Sequence, residues 1–263
     1  YFTKLGVTTL EVLPVNEVEG VRDWGYQGAH SLAIESAYGF EDNHQWITGA
    51  AALKRFIDEA HKRGLNVIND VVYNHIGGNF NFLWDFDGQK NPYFAWPGPN
   101  GLEKRDSPWA PTPAYHQPFV KQFMVDHAVA QVAEFHFDGL RLDFTEPVKA
   151  EKYWHGGKEF KGGGKDGWEL LREINRQVHF WNPHAFTVAE QFDYDPALTR
   201  GVQRDGTGAG FDAQWYTEFQ HRLVRDDAPF NPGMIQAAVN GWQVDVDRFM
   251  AMLTRPRGID AWR

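Results

Sequence analysis

Cysteine is absent from all 263 residues, which excludes a disulfide framework and thiolate chemistry. The absence fits a reducing compartment, and a cytoplasmic location is the expectation. No apolar run approaches the roughly 18 residues that cross a bilayer, so no membrane partner is expected. Positive charge is in deficit: 26 Lys and Arg face 35 Asp and Glu, for a net charge of −9. Nucleic acid needs a basic face and is excluded as a partner. A starting Met and a signal-peptide pattern are also missing: the chain begins YFTKLGV and ends IDAWR, so it is expected to be a piece of a longer protein.

Aromatic residues are plentiful. There are 11 Trp, and aromatics total 15%. Sugar C–H faces stack on such rings, but a large core uses them equally well. With 42% apolar and 23% charged residues, the composition is that of one large globular domain.

Along the chain, residues 7–15 (VTTLEVLPV) are β-branched and apolar, and predict a buried strand. Residues 51–63 place Leu53, Phe56, Ile57 and Ala60 at helical spacing, and Gly64 ends that helix. Residues 65–72 (LNVINDVV) follow at once as a second strand. From 73 to 117 the periodicity fails, and 76–117 reads as a loop-rich inserted subdomain. Pro118 opens a helix to about Phe135. Residues 140–144 form a strand, 151–167 a flexible glycine-rich loop, 168–180 a helix, and 186–190 and 211–215 two more strands. Helices are expected near 216–224 and 245–254. Strands alternating with helices, with short αβ turns and long polar βα loops, predict an α/β fold. The best fit is a (β/α)8 TIM barrel, incomplete, carrying about strands 2 to 6, with the subdomain inserted after the third strand.

Strands buried on both faces should be continuously apolar. Three of these are not. DVVYNH (70–75) brings Asp70, Asn74 and His75; DGLRLDFTEP (138–147) brings Arg141 and Asp143 on one face; FTVAE (186–190) ends in Glu190. Two carboxylates at neighbouring strand ends, Asp143 and Glu190, could flank one glycosidic bond as nucleophile and acid/base. Apolar neighbours in TVAEQF would raise the pKa of Glu190, as an acid requires. The bland alternative is a buried Arg–Asp–Glu ion network that holds the sheet together.

DVVYNH (70–75), GLRLD (139–143) and VAE (188–190), in this order, resemble three of the four signature regions of the α-amylase family of glycoside hydrolases, and WGY (24–26) and AYG (37–39) resemble the loop after that family's second strand. The likeness runs from Val7 to about Leu223. It implies that Asp143 is the nucleophile and Glu190 the general acid/base. Arg141 would orient Asp143, and Asp70 would support Arg141. His75 would bind the sugar's hydroxymethyl group, and Tyr38 would stack on that sugar. Asn74 stands where many members, not all, ligate calcium. A structural calcium is thus allowed, and no cofactor is required. The implied partner is an α-glucan or malto-oligosaccharide. DWGYQG, SPWAP (107–111) and GAGFDAQWYTEFQHRLV (208–224) are similar to branching enzymes and malto-oligosyltrehalose trehalohydrolases. A retaining enzyme on α-1,4-linked glucans follows, most like 1,4-α-glucan branching enzyme, with trehalohydrolase or another amylase-type hydrolase as the alternative.

The sequence also departs from the family. The fourth region, a His-Asp pair, is not found. The acidic residues after Phe211 (Asp226, Asp227, Asp245, Asp247) lack a preceding His, so this segment alone is expected to be inactive. After the nucleophile stands FTEP, where a small residue and then a polar one are expected; Phe144 and Glu146 would reshape the acceptor side. A non-catalytic amylase-like binding protein is the reading of another class, but such relatives usually lose the nucleophile or the acid. Zinc at His75 with Asp70 lacks further ligands. GGGKDG lacks the Ser or Thr of a phosphate loop, and DFDG (85–88) does not continue as an EF-hand. His61, His127 and His136 read as ordinary surface or interface residues. Trp84, Tyr93, Trp96 and Trp109 read as subsite or packing rings.

Overall fold

A computed structural model describes residues 1–20, 23–77, 107–192 and 194–215, together with 83, 92–94, 223, 234–242, 246 and 250. Its centre is a five-stranded parallel sheet made by β1 (Thr9–Val12), β6 (Asn66–Val72), β7 (Gly139–Asp143), β10 (Phe186–Ala189) and β11 (Ala213–Gln214), in that spatial order. Between them come three antiparallel ribbons. These are β2 (Asn16–Glu17) with β3 (His30–Ile34), β4 (Phe40–Asp42) with β5 (Gln45–Ile47), and β8 (Lys152–His155) with β9 (Lys158–Lys161).

Three helices cover the sheet. Helix α1 (Gly49–His61) is capped by the Thr48 hydroxyl, which accepts from the Ala51 amide, and it buries Leu53, Ile57 and Ala60 against Val67 and Phe137. Helix α2 (Pro118–Ala133) starts on its proline. It packs on α4 (Gly164–Trp181), and both pack on Val71, Leu140 and Leu142. Short helices α3 (Glu146–Lys149) and α5 (Pro196–Thr199) follow β7 and β10. The strands therefore have two faces. On β7, Leu140 and Leu142 enter the helix-side core, which leaves Arg141 and Asp143 on the opposite face. Gly139 opens β7 because a Cβ there would lie 2.0 Å from the carbonyl oxygen of Phe186, its register partner on β10.

Two expectations need correction. The stretch 151–167 is not a loop: β8 and β9 form a hairpin whose turn is Gly156–Gly157, both at positive φ, followed by the first turn of α4. Frequent charges without alternation hid the strands, and glycine's low helix propensity hid the helix start. His127 is buried, not at a surface. Its Nε2 faces the amide nitrogens of Asn16 and Gln131, its Nδ1 faces Tyr73 Oη, and burial pushes its pKa down to about 4. Of 76–117, the described part folds inward: Phe94, Ala114 and Tyr115 join the main core, and Ala114 donates to the Tyr93 carbonyl. The helices expected near 216–224 and 245–254 fall mostly outside the described residues, as do Trp84, Trp96, DFDG, Asp226, Asp227, Asp245 and Asp247.

Candidate active site

Parallel pairing in register builds the centre of the site. Asp70 on β6 and Val188 on β10 are the cross-strand partners of Arg141 on β7. Neighbours in register share a sheet face, so Asp70 and Arg141 meet side chain to side chain. Arg141 Nη1 donates to both Asp70 oxygens, at 2.6 and 2.7 Å, and to Asp143 Oδ1 at 2.8 Å. Its Nη2 stands 2.8 Å from Glu190 Oε1. One guanidinium thus gathers three carboxylates from three strands. The Trp215 ring, after β11, lies 4.6 Å from the guanidinium carbon.

The carboxylates differ in access. The Asp70 side chain is 1% exposed, whereas Asp143 is 15% and Glu190 10% exposed. Only the last two can meet a ligand. Asp70 also accepts from Tyr26 Oη at 2.6 Å. Burial lifts Asp70 to about 6 against the pull of Arg141 and Tyr26, so it is ionised at neutral pH. Burial is also the largest cause lifting Glu190, to about 7; the Asp143 charge adds to it, and Arg141 and the Phe144 amide oppose it. Asp143 is held from the other side by Asn74, whose Nδ2 donates to Asp143 Oδ2 at 2.8 Å and to its carbonyl at 3.0 Å.

Asp143 and Glu190 open on a cleft of about 1010 Å³, lined also by Asp23, Tyr26, His75, Trp109, Phe144 and Trp215. Tyr38 is not among the lining residues. It closes a 3-10 turn, Ser36–Tyr38, capped by Glu35. The tyrosine that lines the cleft is Tyr26, from the WGY motif. Its hydroxyl is spent on Asp70, and its carbonyl oxygen is 2.9 Å from His75 Nε2. The other His75 nitrogen faces Asn74 Oδ1. Burial lowers the His75 pKa, which Asp143 and the Tyr26 carbonyl oppose.

The surroundings of Asn74 do not fit calcium. Its oxygen is engaged by His75 and its nitrogen faces a carboxylate. Among the described residues no group of three or more His, Cys, Asp or Glu could hold a metal ion. Among them, too, no helix is long and apolar enough to cross a membrane. Tyr26, Trp215, Phe192 and His155 also line the cleft, beyond the residues expected from sequence. WGY (24–26) and the 208–224 motif carried the signals for Tyr26 and Trp215.

Two accessible carboxylates delivered by adjacent parallel strands to one open cleft are what a glycoside hydrolase built on an α/β sheet uses. The model of the alpha amylase catalytic domain matches residues 1–255, and the chain belongs to the alpha-amylase family. A malto-oligosyltrehalose trehalohydrolase of Saccharolobus solfataricus is 30% identical over 226 residues, 85% of this chain and 34% of the relative. A 1,4-alpha-glucan branching enzyme GlgB of Oceanobacillus iheyensis is 31% identical over 236 residues, again 85% and 34%. The pullulanase of Paenibacillus barengoltzii, solved with maltohexaose and alpha-cyclodextrin, covers 89% of this chain and 35% of its own at a TM-score of 0.64; at 22% identity it shows the fold alone. The chain spans about a third of the length of the curated relatives it matches.

Proposed function

We propose that the chain is the partial catalytic barrel of a retaining enzyme acting on α-1,4-linked glucans, and that the five parallel strands are about strands 2 to 6 of a (β/α)8 barrel. Residues 76–117 are the inserted subdomain. The observation that carries the reading is the pair Asp143 and Glu190, two accessible carboxylates joined by one buried arginine at the mouth of the cleft. Asp143 attacks the anomeric carbon while protonated Glu190 gives its proton to the departing glycosidic oxygen. Glu190 then takes a proton from the acceptor that frees the sugar from Asp143. Arg141 orients both groups, with Asp70 as its buried counter-charge. Asn74 fixes the Asp143 carboxylate rather than a calcium. Tyr26, rather than Tyr38, stacks on the sugar, and His75 exchanges its Tyr26 contact for the sugar's hydroxymethyl oxygen.

Within this class the 1,4-α-glucan branching enzyme is one reading. The malto-oligosyltrehalose trehalohydrolase is the second; relatives of both kinds match at similar identity, 31% and 30%. The test is product analysis with the intact protein. The first-formed product should keep the α configuration by NMR. New α-1,6 branches on amylose identify the transferase, and trehalose from maltooligosyl-trehalose identifies the hydrolase. A β-configured first product would mean inversion and overturn Asp143 as the nucleophile of a retaining mechanism.

The proton on Glu190 also sets a pH limit. A group lifted to about 7 is protonated below that pH and loses its proton above it. The profile of kcat/KM should therefore fall on the alkaline side from near 7, by about tenfold per unit. A plateau extending to pH 9 would remove Glu190 as the acid.

A further inference from the structure

We propose that Phe144, the residue after Asp143, positions the Glu190 carboxyl by holding a left-handed backbone turn that aims an amide N–H at Glu190 Oε2. The proposal rests on the reading of Glu190 as the acid/base. Phe144 has φ 33°, in the region that favours glycine. A side chain there needs a local cause, and the ring supplies it. It is seated edge-on against Trp109 at 5.2 Å and against Tyr153 at 6.2 Å, and tilted on Phe192 at 5.2 Å. These three rings come from separate segments: residues 107–117, the β8–β9 hairpin, and the turn after β10. Tyr153 is itself buried and stacked on Phe160, so the seat is fixed from behind.

The consequence is a grip on Glu190 at both ends. The Phe144 amide donates to Oε2 at 2.7 Å. The next residue, Thr145, donates its amide and its hydroxyl to the Glu190 carbonyl, at 2.9 and 3.0 Å. The amide on Oε2 and Arg141 Nη2, 2.8 Å from Oε1, together fix the plane of the carboxyl. The N–H lies in the Asp143–Phe144 peptide plane, and the seated ring on one side and the Thr145 bonds to the Glu190 carbonyl on the other keep that plane facing Oε2. The aromatic hairpin contact thereby becomes part of the acid's geometry, although no hairpin atom is needed for the chemistry.

The Glu190 carboxyl can be titrated directly in the intact protein, by 13C NMR with labelled glutamate and Glu190→Gln for assignment. The charged and titratable groups around it are Arg141 and Asp143 of β7, Asp70 of β6 behind Arg141, and Asp23, His75 and His155 along the cleft. All are common to every variant, and losing the ring eases the burial of Glu190, which acts downward, so a rise reports the lost amide. Phe144→Gly permits the turn but removes what enforces it. Its Glu190 midpoint should rise by about half a unit or more, because a donor to the ionised form is lost. On soluble α-1,4-glucan its kcat should fall about tenfold with KM little changed. Phe144→Tyr should restore both. Should the glycine variant fail to fold, Phe144→Leu keeps bulk without the ring and carries the same expectation. A midpoint unmoved in a folded ring-less variant overturns the proposal, whatever the rate does. A shifted midpoint in a protein that cleaves no α-glucan leaves the positioning intact and overturns the functional reading.

Discussion

Asp143→Asn should lower turnover of soluble α-1,4-glucan by about 10⁴-fold or more while the protein still melts cooperatively. The amide is the same size, so packing survives, but it cannot attack the anomeric carbon or leave as a carboxylate. The structure limits the collateral cost. Asp143 accepts from Arg141 at Oδ1 and from Asn74 at Oδ2, so the new NH2 must face one of two donors. That mismatch is worth about 1–3 kcal/mol at a buried site and less at one that reaches solvent. The ion-network alternative makes the opposite forecast, a change in stability with turnover untouched. Kinetics on the intact protein, paired with a thermal melt, therefore separate the two. Wild-type turnover in the variant would return Asp143 to a structural role.

The features legible in sequence are those that break a local rule. Arg141, Asp143, Asp70 and Glu190 stand out because charge interrupts apolar strands, and the parallel register then brings them together. The α1–β6 unit was equally plain, since helical spacing, a closing glycine and an apolar run carry local information. Tyr38 and Tyr26 show the limit. Both sit beside a glycine in irregular segments, where no periodicity says which way a side chain points. Only the packed loop brings Tyr26 over Asp70. Trp215 is similar: its place over Arg141 follows from β11 pairing with β10, a contact between distant segments. The hairpin at Lys152–Lys161 was hidden because half of its strand residues are charged and most are solvent-facing. Phe144 was visible as a departure in composition, but its left-handed turn is a product of three rings far apart in the chain.

Arg141→Met should be the most destabilising single change in the site, lowering stability by about 3–5 kcal/mol, because it strands a buried carboxylate. Asp70 would keep the Tyr26 hydroxyl as donor but lose its counter-charge, and its side chain is 1% exposed. Water cannot replace the guanidinium there. The loss should depend on pH, with a sign the burial fixes. Asp70 is already lifted above its ordinary value with Arg141 present, and without Arg141 the lift grows. A carboxyl whose folded pKa is raised contributes fully below its unfolded pKa of about 4 and loses that contribution as pH rises through the folded value. Arg141→Met should therefore be closer to wild type at pH 5 than at pH 8 in urea unfolding. Adding Asp70→Asn should recover most of the deficit at pH 8 by removing the stranded charge, as a coupled pair requires. Turnover should not return with it, since Asp143 and Glu190 would still lack the group that orients them both. Recovery of stability without activity would show the triad serving two ends: Asp70 makes the buried arginine tolerable, and the arginine makes the two carboxylates usable. An Arg141→Met variant within 1 kcal/mol of wild type at both pH values would mean that the guanidinium is not what holds the strand ends together.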